Sequence, residues 1–380
     1  MRTPYYVFDA SEFKDRIKKV GDKLPGTLLT YSIKANPFLL HVLPDTSLIK
    51  SVEVCSPGEL KICKALSIPG ERIIFSGVMK EERDVRAAFS YGVKYITAES
   101  KRHFELINKV SKRSGHTPEV LLRLTSGNQF GMSGEDILSV LKDSERENIP
   151  VAGIHYFSGT DKKKRGQIEK DLSKLREFLS EIRGKGLLKD PFIEYGPGLS
   201  VDYYEPPYEE RDMELIDEIS PLIKELAGEY KTGIELGRFL AAPSGSYYTK
   251  VCDIKENDGA TYVITDGGTH HIKYFGQNMA MKIPPVKVIR NGEEIRSNGG
   301  PLKDHCICGS LCTSADVMIR KAFLPELKVG DILRFGRSGA YSFYEGALFF
   351  LSRDLPEIWL KNGEKLKKLR GRKESWRYQL

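Results

Sequence analysis

The sequence predicts an α/β protein in which a (β/α)8 TIM-like barrel is followed by a second, mostly antiparallel β domain. Between about residues 12 and 240, short β-branched runs alternate with stretches of helical period, which is typical of a parallel sheet with crossover helices. No Gly-x-Gly-x-x-Gly turn follows the first strand, so a closed barrel is favoured over an open nucleotide-binding sheet. After about residue 245 the runs are separated by Gly, Asn and Asp turns with little helix between them, which is typical of antiparallel strands.

The same patterns predict domain boundaries and individual elements. We expect residues 12–240 to form the barrel, residues 1–11 and 241–360 the β domain, and residues 361–380 a basic tail. Barrel strands are predicted where β-branched and aromatic residues cluster, at 27–30, 120–124, 151–155, 192–195 and 233–236. Helices are predicted where apolar residues recur every three or four positions, as over 137–141 and 172–182. Strands of the β domain are predicted at 261–265, 286–290 and 331–335, with a hairpin turn at 291–292. The first strand, residues 5–8, suits either domain.

Charge is distributed unevenly along the 380 residues, whose net charge is +7. Residues 361–380 hold eight of the 59 Lys and Arg residues and two of the 52 Asp and Glu residues, which leaves 51 bases and 50 acids before them. A nucleic-acid enzyme would carry its basic surplus across the body of the protein, so that function is disfavoured. We expect the tail to be a solvated terminus, with binding to an anionic partner as the alternative.

Composition predicts a cytoplasmic protein without a membrane segment. The first residues lack the apolar core of a signal peptide, and no apolar run approaches about 20 residues. Six cysteines in a chain of this length are expected to be reduced thiols. Cys306, Cys308 and Cys312 have a C-x-C-x3-C spacing that matches no usual zinc site, so no metal is expected.

Lys34 lies in residues 31–37, directly after the predicted strand at 27–30. A lysine amine in a partly dry pocket has a depressed pKa and can form a Schiff base with an aldehyde cofactor. The alternative is an ordinary lysine at a strand end, with its ammonium group in water. The heptapeptide by itself favours neither interpretation.

Two further segments follow predicted strands and suit a phosphorylated pyridine. In residues 195–200, Gly196 and Gly198 would let backbone N–H groups approach a phosphate, although Gly-Pro-Gly is also a common tight turn. In residues 235–238, Arg238 could bind phosphate oxygens and Glu235 could keep a pyridine nitrogen protonated, although a surface salt bridge is the simpler interpretation. His155 ends another strand, with Ser158 three residues later, and a lone histidine is more often structural.

These four motifs, with residues 309–316 and 338–341 of the predicted β domain, resemble in order and spacing the fold-type III pyridoxal-phosphate decarboxylases, which include the diaminopimelate, ornithine and arginine decarboxylases. The resemblance extends from Tyr5 to about Leu360. It implies an alanine racemase-like fold, pyridoxal 5'-phosphate as cofactor, and loss of the substrate's α-carboxylate as CO2. Alanine racemase itself pairs its pyridine nitrogen with Arg and follows its lysine with a different sequence, which favours decarboxylation here. A pyridoxal-phosphate-binding homeostasis protein, which has no second domain, is the other alternative.

The resemblance also implies a role for each site residue. Lys34 would form the Schiff base, with Glu53 and Arg123 ordering its side of the ring, and His155 would stack on the ring. Glu235 would pair with the pyridinium nitrogen. The phosphate would be bound by the following residues: Ser158, Gly196, Gly198, Arg238 and Tyr341.

A second set of implied roles concerns the partner subunit and the substrate. Cys312 and Asp316 match the Cys-x-x-x-Asp element that these enzymes insert into the partner subunit's site, which implies a homodimer in which Cys312 reprotonates the substrate carbon. Thr313 departs from the Cys-Glu-Ser of diaminopimelate decarboxylases, and a neutral Thr cannot pair with a distal ammonium group. The 157–160 and 311–313 segments are similar to a subgroup acting on modified substrates, such as a carrier-protein-linked glutamyl decarboxylase and siderophore-pathway decarboxylases. We therefore expect a free or carrier-linked amino-acid derivative, with diaminopimelate as the alternative.

Overall fold

The computed structural model describes residues 1–45, 47–114, 118–295 and 301–380. The chain divides into two compact units. The first, here called the barrel unit, comprises Lys14–Val201 and Glu209–Leu240. The second, here called the β unit, comprises Met1–Phe13, Asp202–Tyr208 and Ala241–Leu380. The division near residues 13 and 240 lies close to the expected one, but the β unit also takes in residues 202–208 and the whole of 361–380.

The barrel unit contains a closed barrel of eight parallel strands. Strand β1 (Tyr5–Asp9) opens the chain and belongs to the β unit. The barrel strands follow in chain order: β2 (Leu28–Ser32), β3 (Ile49–Val54), β4 (Ile73–Phe75), β5 (Tyr95–Ala98), β6 (Glu119–Leu124), β7 (Val151–Phe157), β8 (Phe192–Gly196) and β9 (Thr232–Leu236). Strand β9 pairs with β2 and closes the ring. The predicted (β/α)8 architecture is confirmed.

Helices connect the barrel strands, as the helical spacing of apolar residues predicts. They are α1 (Ala10–Lys23), α2 (Pro57–Ala65), α3 (Glu82–Tyr91), α4 (Lys101–Ser114), α5 (Gly134–Glu147), α6 (Arg165–Gly184), α7 (Tyr208–Glu229) and the short α8 (Arg238–Ala241). Between β2 and β3 the chain instead forms two 3-10 stretches, Ile33–Ala35 and Pro37–Asp45. Helix α5 illustrates the local signals: the Ser133 hydroxyl accepts a hydrogen bond from Asp136 N at 3.1 Å, and Asn148 ends the helix with a φ of 55°.

Apolar side chains fill the amino-terminal end of the barrel. Ile74, Tyr95, Leu121 and Phe192 form a buried cluster, and the rings of Tyr95 and Phe192 stack with centroids 5.1 Å apart. Each of these side chains contributes roughly 1.5–3 kcal/mol by its burial. All four lie in the first half of their strands, which leaves the carboxyl ends of the strands for polar residues.

The β unit is built on a ten-stranded, mostly antiparallel sheet, as predicted. Its strands after β1 are β10 (Gly245–Asn257), β11 (Ala260–Thr265), β12 (Val286–Arg290), β13 (Glu293–Ile295), β14 (Lys303–Cys308), β15 (Val317–Leu324), β16 (Ile332–Phe335), β17 (Glu357–Asn362) and β18 (Lys365–Arg370). The main path runs β13-β12-β16-β10-β1-β17-β18, and β11, β14 and β15 extend from β10. Asn291 and Gly292, with φ of 53° and 88°, form the predicted hairpin turn between β12 and β13.

Residues 361–380 differ from the predicted solvated tail, because sheet pairing and ion pairs hold most of the segment. Strand β17 pairs in parallel with β1, and β18 pairs with β17 at the edge of the sheet. Lys361 Nζ lies 2.9 Å from Asp9 Oδ2, and Lys368 Nζ lies 3.0 Å from Glu357 Oε1. The basic composition concealed the strand, since few apolar residues mark its alternation.

Within the described part of the chain, we find no helix that combines the length and the apolar character needed to cross a bilayer.

Candidate active site

Lys34 joins two buried carboxylates at the carboxyl end of the barrel. It lies in the 3-10 turn Ile33–Ala35, two residues beyond the end of β2. Its Nζ donates hydrogen bonds to Glu53 Oε2 at 2.7 Å and to Glu235 Oε1 at 3.2 Å. The side chain of Lys34 is 38% exposed, whereas those of Glu53 and Glu235 are 2% and 6% exposed. The amine is therefore reachable by a small molecule while its counter-ions are sheltered from water.

Glu235, in β9, has several hydrogen-bonding partners at the centre of this cluster. Its Oε1 also accepts a hydrogen bond from Ser32 Oγ at 2.7 Å, and its Oε2 lies 3.2 Å from His155 Nε2. Burial by itself raises the pKa of Glu235, but the charge of Lys34 and the hydrogen bond from His155 outweigh it and hold that pKa well below its ordinary value. Glu235 is therefore an ionised acceptor inside the barrel.

A second buried acid, Glu194 on β8, has the opposite electrostatic environment. Burial and the nearby charge of Glu235 raise the pKa of Glu194 well above its ordinary value, which favours the neutral form of this carboxyl group. It occupies space that Gly233 leaves open, since a Cβ at that position would lie 2.0 Å from Glu194 Oε2. Sequence reasoning missed Glu194, although its alternation with Gly196 on β8 points both residues to the same face.

Arg123 on β6 pairs with a residue that sequence reasoning also missed. Its Nη1 lies 2.9 Å from Glu99 Oε1, and its guanidinium stacks 4.8 Å from the centroid of Phe130. Glu99 directly follows β5, so a search for charged residues at the ends of predicted strands could have found it. Nearby, Lys80 Nζ donates to the Gly77 carbonyl at 2.5 Å, and burial lowers the pKa of Lys80 to about 8.

Cys55 adds a thiol beside Lys34. Its Sγ donates to Glu53 Oε1 at 2.8 Å and lies 3.5 Å from Lys34 Nζ. Burial and the charge of Glu53 raise the pKa of Cys55 well above its ordinary value. Cys55 is therefore a protonated neighbour of Lys34 and not a competing nucleophile.

The glycine turn after β8 packs closely against the segment that follows β7. Gly198 has a φ of +62°, and a Cβ there would lie 1.9 Å from the Gly159 carbonyl oxygen. A Cβ at Gly196 would lie 2.6 Å from the ring of Phe157. Only glycine fits this turn, which leaves a backbone-lined concavity of the kind that binds phosphate. Arg238 begins α8 directly beyond β9 and is partly exposed.

The remaining predicted residues lie in the β unit. Asp316 is buried, and its carboxylate accepts hydrogen bonds from Thr269 N and Leu311 N, each at 2.7 Å. Asp316 therefore shapes the 309–316 loop, on which Cys312 and Thr313 are exposed. Tyr341 has a φ of +61°, a strained conformation that is often found at binding sites.

The barrel cluster has the donor and acceptor set that pyridoxal phosphate requires. An accessible amine suits its aldehyde, an ionised buried carboxylate suits its pyridinium nitrogen, and a glycine-only turn suits its phosphate. Among the described residues, none hydrogen-bonds His155 Nδ1, so a buried polar atom remains available on this side of the barrel. A (β/α)8 barrel that carries this set at the carboxyl ends of its strands defines the class of fold-type III pyridoxal-phosphate enzymes.

Residues 10–242 match the sequence profile of the family described as pyridoxal-dependent decarboxylase, pyridoxal binding domain, and the chain belongs to this family. The predicted family, cofactor and enzyme class are confirmed: the protein is a pyridoxal-phosphate-dependent carboxy-lyase that decarboxylates an amino acid or an amino-acid derivative.

Curated relatives cover nearly the whole chain. The chain is 24% identical to a diaminopimelate decarboxylase of Aquifex aeolicus, covering 95% of this chain and 87% of the relative. It is 26% identical to the L-glutamyl-[BtrI acyl-carrier protein] decarboxylase of Niallia circulans, with coverages of 95% and 89%. It is 27% identical to the 2-[(L-alanin-3-ylcarbamoyl)methyl]-2-hydroxybutanedioate decarboxylase of Staphylococcus aureus, covering 93% of both chains.

Solved structures share the fold. Diaminopimelate decarboxylase from Helicobacter pylori, complexed with L-lysine, has a TM-score of 0.85 and 21% identity, covering 100% of this chain and 97% of that one. Lysine/ornithine decarboxylase from Vibrio vulnificus, complexed with putrescine, has a TM-score of 0.82 and 21% identity, with coverages of 96% and 95%.

Proposed function

We propose that the protein removes the α-carboxylate from a modified amino acid whose distal end carries no ammonium group. The observation that carries this proposal is Thr313, an exposed and neutral residue next to Cys312 on the 309–316 loop. Beside this loop, Arg353 Nη2 donates to the Ser310 carbonyl at 2.7 Å. A hydroxyl group and a guanidinium group would accept a neutral or carboxylate-bearing distal end, whereas an ammonium group would meet no anion from either.

Four barrel residues would carry the chemistry. Bound pyridoxal phosphate supplies an electron sink for the carbanion that decarboxylation leaves. Lys34 would hold the cofactor through its amine, and Glu53 would stabilise the lysine ammonium group through the 2.7 Å hydrogen bond whenever the amine is not joined to the cofactor. Glu235 would hold a proton at the pyridine nitrogen, because its ionised carboxylate stabilises the protonated ring. His155 would orient Glu235 through the 3.2 Å hydrogen bond and cover one face of the ring.

The phosphate group would be bound where three strands end. Backbone N–H groups around Gly196 and Gly198 would donate to its oxygens, and Arg238 would neutralise part of its charge. Ser158 would add a hydroxyl donor. Arg123, which is anchored by Glu99, would order the Lys34 side of the ring.

Cys312 would act in a homodimer. Its thiol is exposed on the surface of the chain, so we expect it to enter the site of a second subunit and to deliver the Sγ proton to the substrate carbon. Asp316 would act indirectly, by fixing the loop that carries Cys312 and Thr313, since its carboxylate accepts hydrogen bonds from Leu311 N within that loop and from Thr269 N outside it. The exposure of Cys312 supports this proposal, because a proton donor must reach the reacting atom.

A carrier-linked substrate is the finer version of this proposal. Lys365 and Lys367 are exposed on β18, an edge strand of the β unit, and would attract an acidic carrier protein by electrostatic steering. One relative is named for a substrate linked to an acyl-carrier protein. All six cysteines are free, which supports action in a reducing cytoplasm.

The test is CO2 release from a panel of candidate substrates. The panel contains meso-diaminopimelate, L-ornithine, L-lysine, L-arginine, N-acylated 2,3-diaminopropionate with a terminal carboxylate, and carrier-linked L-glutamate. We expect kcat/KM for an acylated or carrier-linked substrate to exceed that for meso-diaminopimelate by at least about a hundredfold, as a charged partner lost from a buried site implies. Efficient turnover of meso-diaminopimelate would instead assign the diaminopimelate decarboxylase activity for which several relatives are named.

A further inference from the structure

A buried ion pair lies behind the glycine turn of β8, outside the residues assigned above. Lys162 follows β7, and Asp171 lies on α6. Their residues are 6% and 7% exposed, and Lys162 Nζ is in direct contact with Asp171 Oδ2. An isolated buried charge is costly, so such a pair persists only where each partner compensates the other.

Asp171 also organises two neighbouring hydroxyl groups. Ser158 Oγ donates to its Oδ1 and Oδ2, at 2.7 and 2.8 Å, and Tyr195 OH donates to Oδ2 at 3.0 Å. Burial and the charge of Asp171 raise the pKa of Tyr195 well above its ordinary value, so the phenol stays protonated as a donor. The Ser158 hydroxyl group has a single proton to donate, and Asp171 accepts it. Asp171 thus orients Ser158, the proposed phosphate ligand.

Lys162 is joined by its backbone to the glycine turn itself. Its N–H donates to the Gly198 carbonyl at 3.0 Å, and its carbonyl accepts from Ser200 N at 3.0 Å. The ion pair is therefore tied through the Lys162 backbone to the turn that lines the concavity where the phosphate is proposed to bind.

The arrangement has an electrostatic consequence for a phosphate dianion. Asp171 is one hydrogen bond from Ser158, and its negative charge would repel a phosphate held by Ser158 unless a cation compensated it. Lys162 supplies that cation. When Ser158 turns its proton toward a phosphate oxygen, Asp171 Oδ2 keeps two donors, from Lys162 and Tyr195.

We infer that Lys162 and Asp171 form a charge-neutral positioning pair whose function is to set the affinity of the cradle for the phosphate group of the cofactor. The inference rests on the proposed phosphate site at Ser158 and Gly198. It predicts that Lys162→Met weakens phosphate binding, because the Asp171 anion is left near the phosphate. It predicts that Asp171→Asn does not weaken it, because the Lys162 cation is left there.

The test measures cofactor binding by absorbance titration of the apo protein, with pyridoxal phosphate and with pyridoxal, which lacks the phosphate. Lys162→Met should weaken pyridoxal phosphate binding by about tenfold or more, as an uncompensated buried charge implies, and should leave pyridoxal binding unchanged. Asp171→Asn should leave pyridoxal phosphate binding equal or tighter. The double variant should return toward the wild-type affinity. Lys163→Met, at an exposed neighbouring lysine, should behave as the wild type.

A purely structural role for the pair would have a different signature. Both single variants would then weaken pyridoxal phosphate and pyridoxal alike, the double variant would not recover, and the inference would be overturned. If Lys162→Met fails to fold, Asp171→Asn alone tests the inference. Weaker binding of pyridoxal phosphate by Asp171→Asn, with pyridoxal binding unchanged, would contradict it. If the variants show the predicted binding pattern and the wild-type protein releases no CO2 from any substrate of the panel, the proposed substrate class is refuted and the inference stands.

Discussion

The Lys34→Met substitution tests the electrostatics of the barrel cluster directly, because it removes a cation and keeps most of the side-chain volume. Lys34 is the shared partner of Glu53 and Glu235, at 2.7 and 3.2 Å. Removing one partner of a buried ion pair costs about 3–5 kcal/mol, and the 38% exposure of the Lys34 side chain screens part of this. We therefore expect the apo variant to be less stable than the wild type by about 2 kcal/mol at pH 7.5.

The stability that the Lys34→Met variant loses should depend on pH in a defined direction. In the wild type, the pKa of Glu235 is held below its ordinary value, so its stabilising contribution is present above the unfolded pKa, about 4.3, and is lost as the pH falls through the folded value. In Lys34→Met, we expect burial to outweigh the remaining hydrogen bonds from His155 and Ser32 and to raise the pKa of Glu235. The stability difference should then shrink by up to about 1.4 kcal/mol per pH unit as the solution is acidified below neutrality.

Urea unfolding of the apo proteins at several pH values between 7.5 and 5 measures this difference, with Lys50→Met, at an exposed lysine of β3, as the control. The holo proteins supply a second readout. Lys34→Met should lose the absorbance of the bound cofactor on dialysis, and borohydride should not attach the cofactor to another lysine. A stability difference that does not vary with pH would refute the electrostatic reasoning, and retained colour with labelling of another lysine would refute the assignment of Lys34.

Three further predictions concern the site, the subunit arrangement and the basic edge strand. Glu235→Gln should lower kcat by about a hundredfold or more with little change in cofactor affinity, as the loss of a transition-state interaction implies; unchanged kcat with weaker cofactor binding would show that the residue only holds the ring. Mixing the inactive variants Lys34→Ala and Cys312→Ala should restore activity, because one site in each hybrid dimer has both wild-type residues; no recovery after verified subunit exchange would contradict the shared site. Replacing Lys365 and Lys367 by Gln should slow turnover of a carrier-linked substrate at low salt and leave a small free analogue unaffected. If the Lys365 and Lys367 substitutions affect both substrates equally, β18 has only a structural role.

The Lys365 and Lys367 test uses point substitutions because the structure makes truncation uninformative. Removing residues 361–380 would delete β18 and the end of β17, which pairs with β1 inside the sheet. A truncated chain would lose stability whatever the function of its charges.

Much of the site could be predicted because it follows from local pattern. Alternation of strands and helices predicts a barrel, and a parallel barrel brings the carboxyl ends of its strands together at one end. Residues at or just beyond the carboxyl ends of strands, such as Lys34, Glu235 and His155, could therefore be expected to meet, and the structure joins these three through Glu235. The same reasoning did not reach Glu99, since only its partner Arg123 was recognised.

What the sequence by itself determined is the set of elements and the side chains at their ends, because hydrophobic period and turn residues are local properties. Only the tertiary structure decided which of those groups are charged and which are paired. Glu194 and Glu235 are both glutamates in barrel strands, yet the pKa of Glu194 is raised and that of Glu235 is lowered, because Lys34 and His155 hydrogen-bond to Glu235. Lys34 is 201 residues from Glu235 along the chain, and a pKa depends on burial and on charges a few ångströms away, which no local pattern specifies.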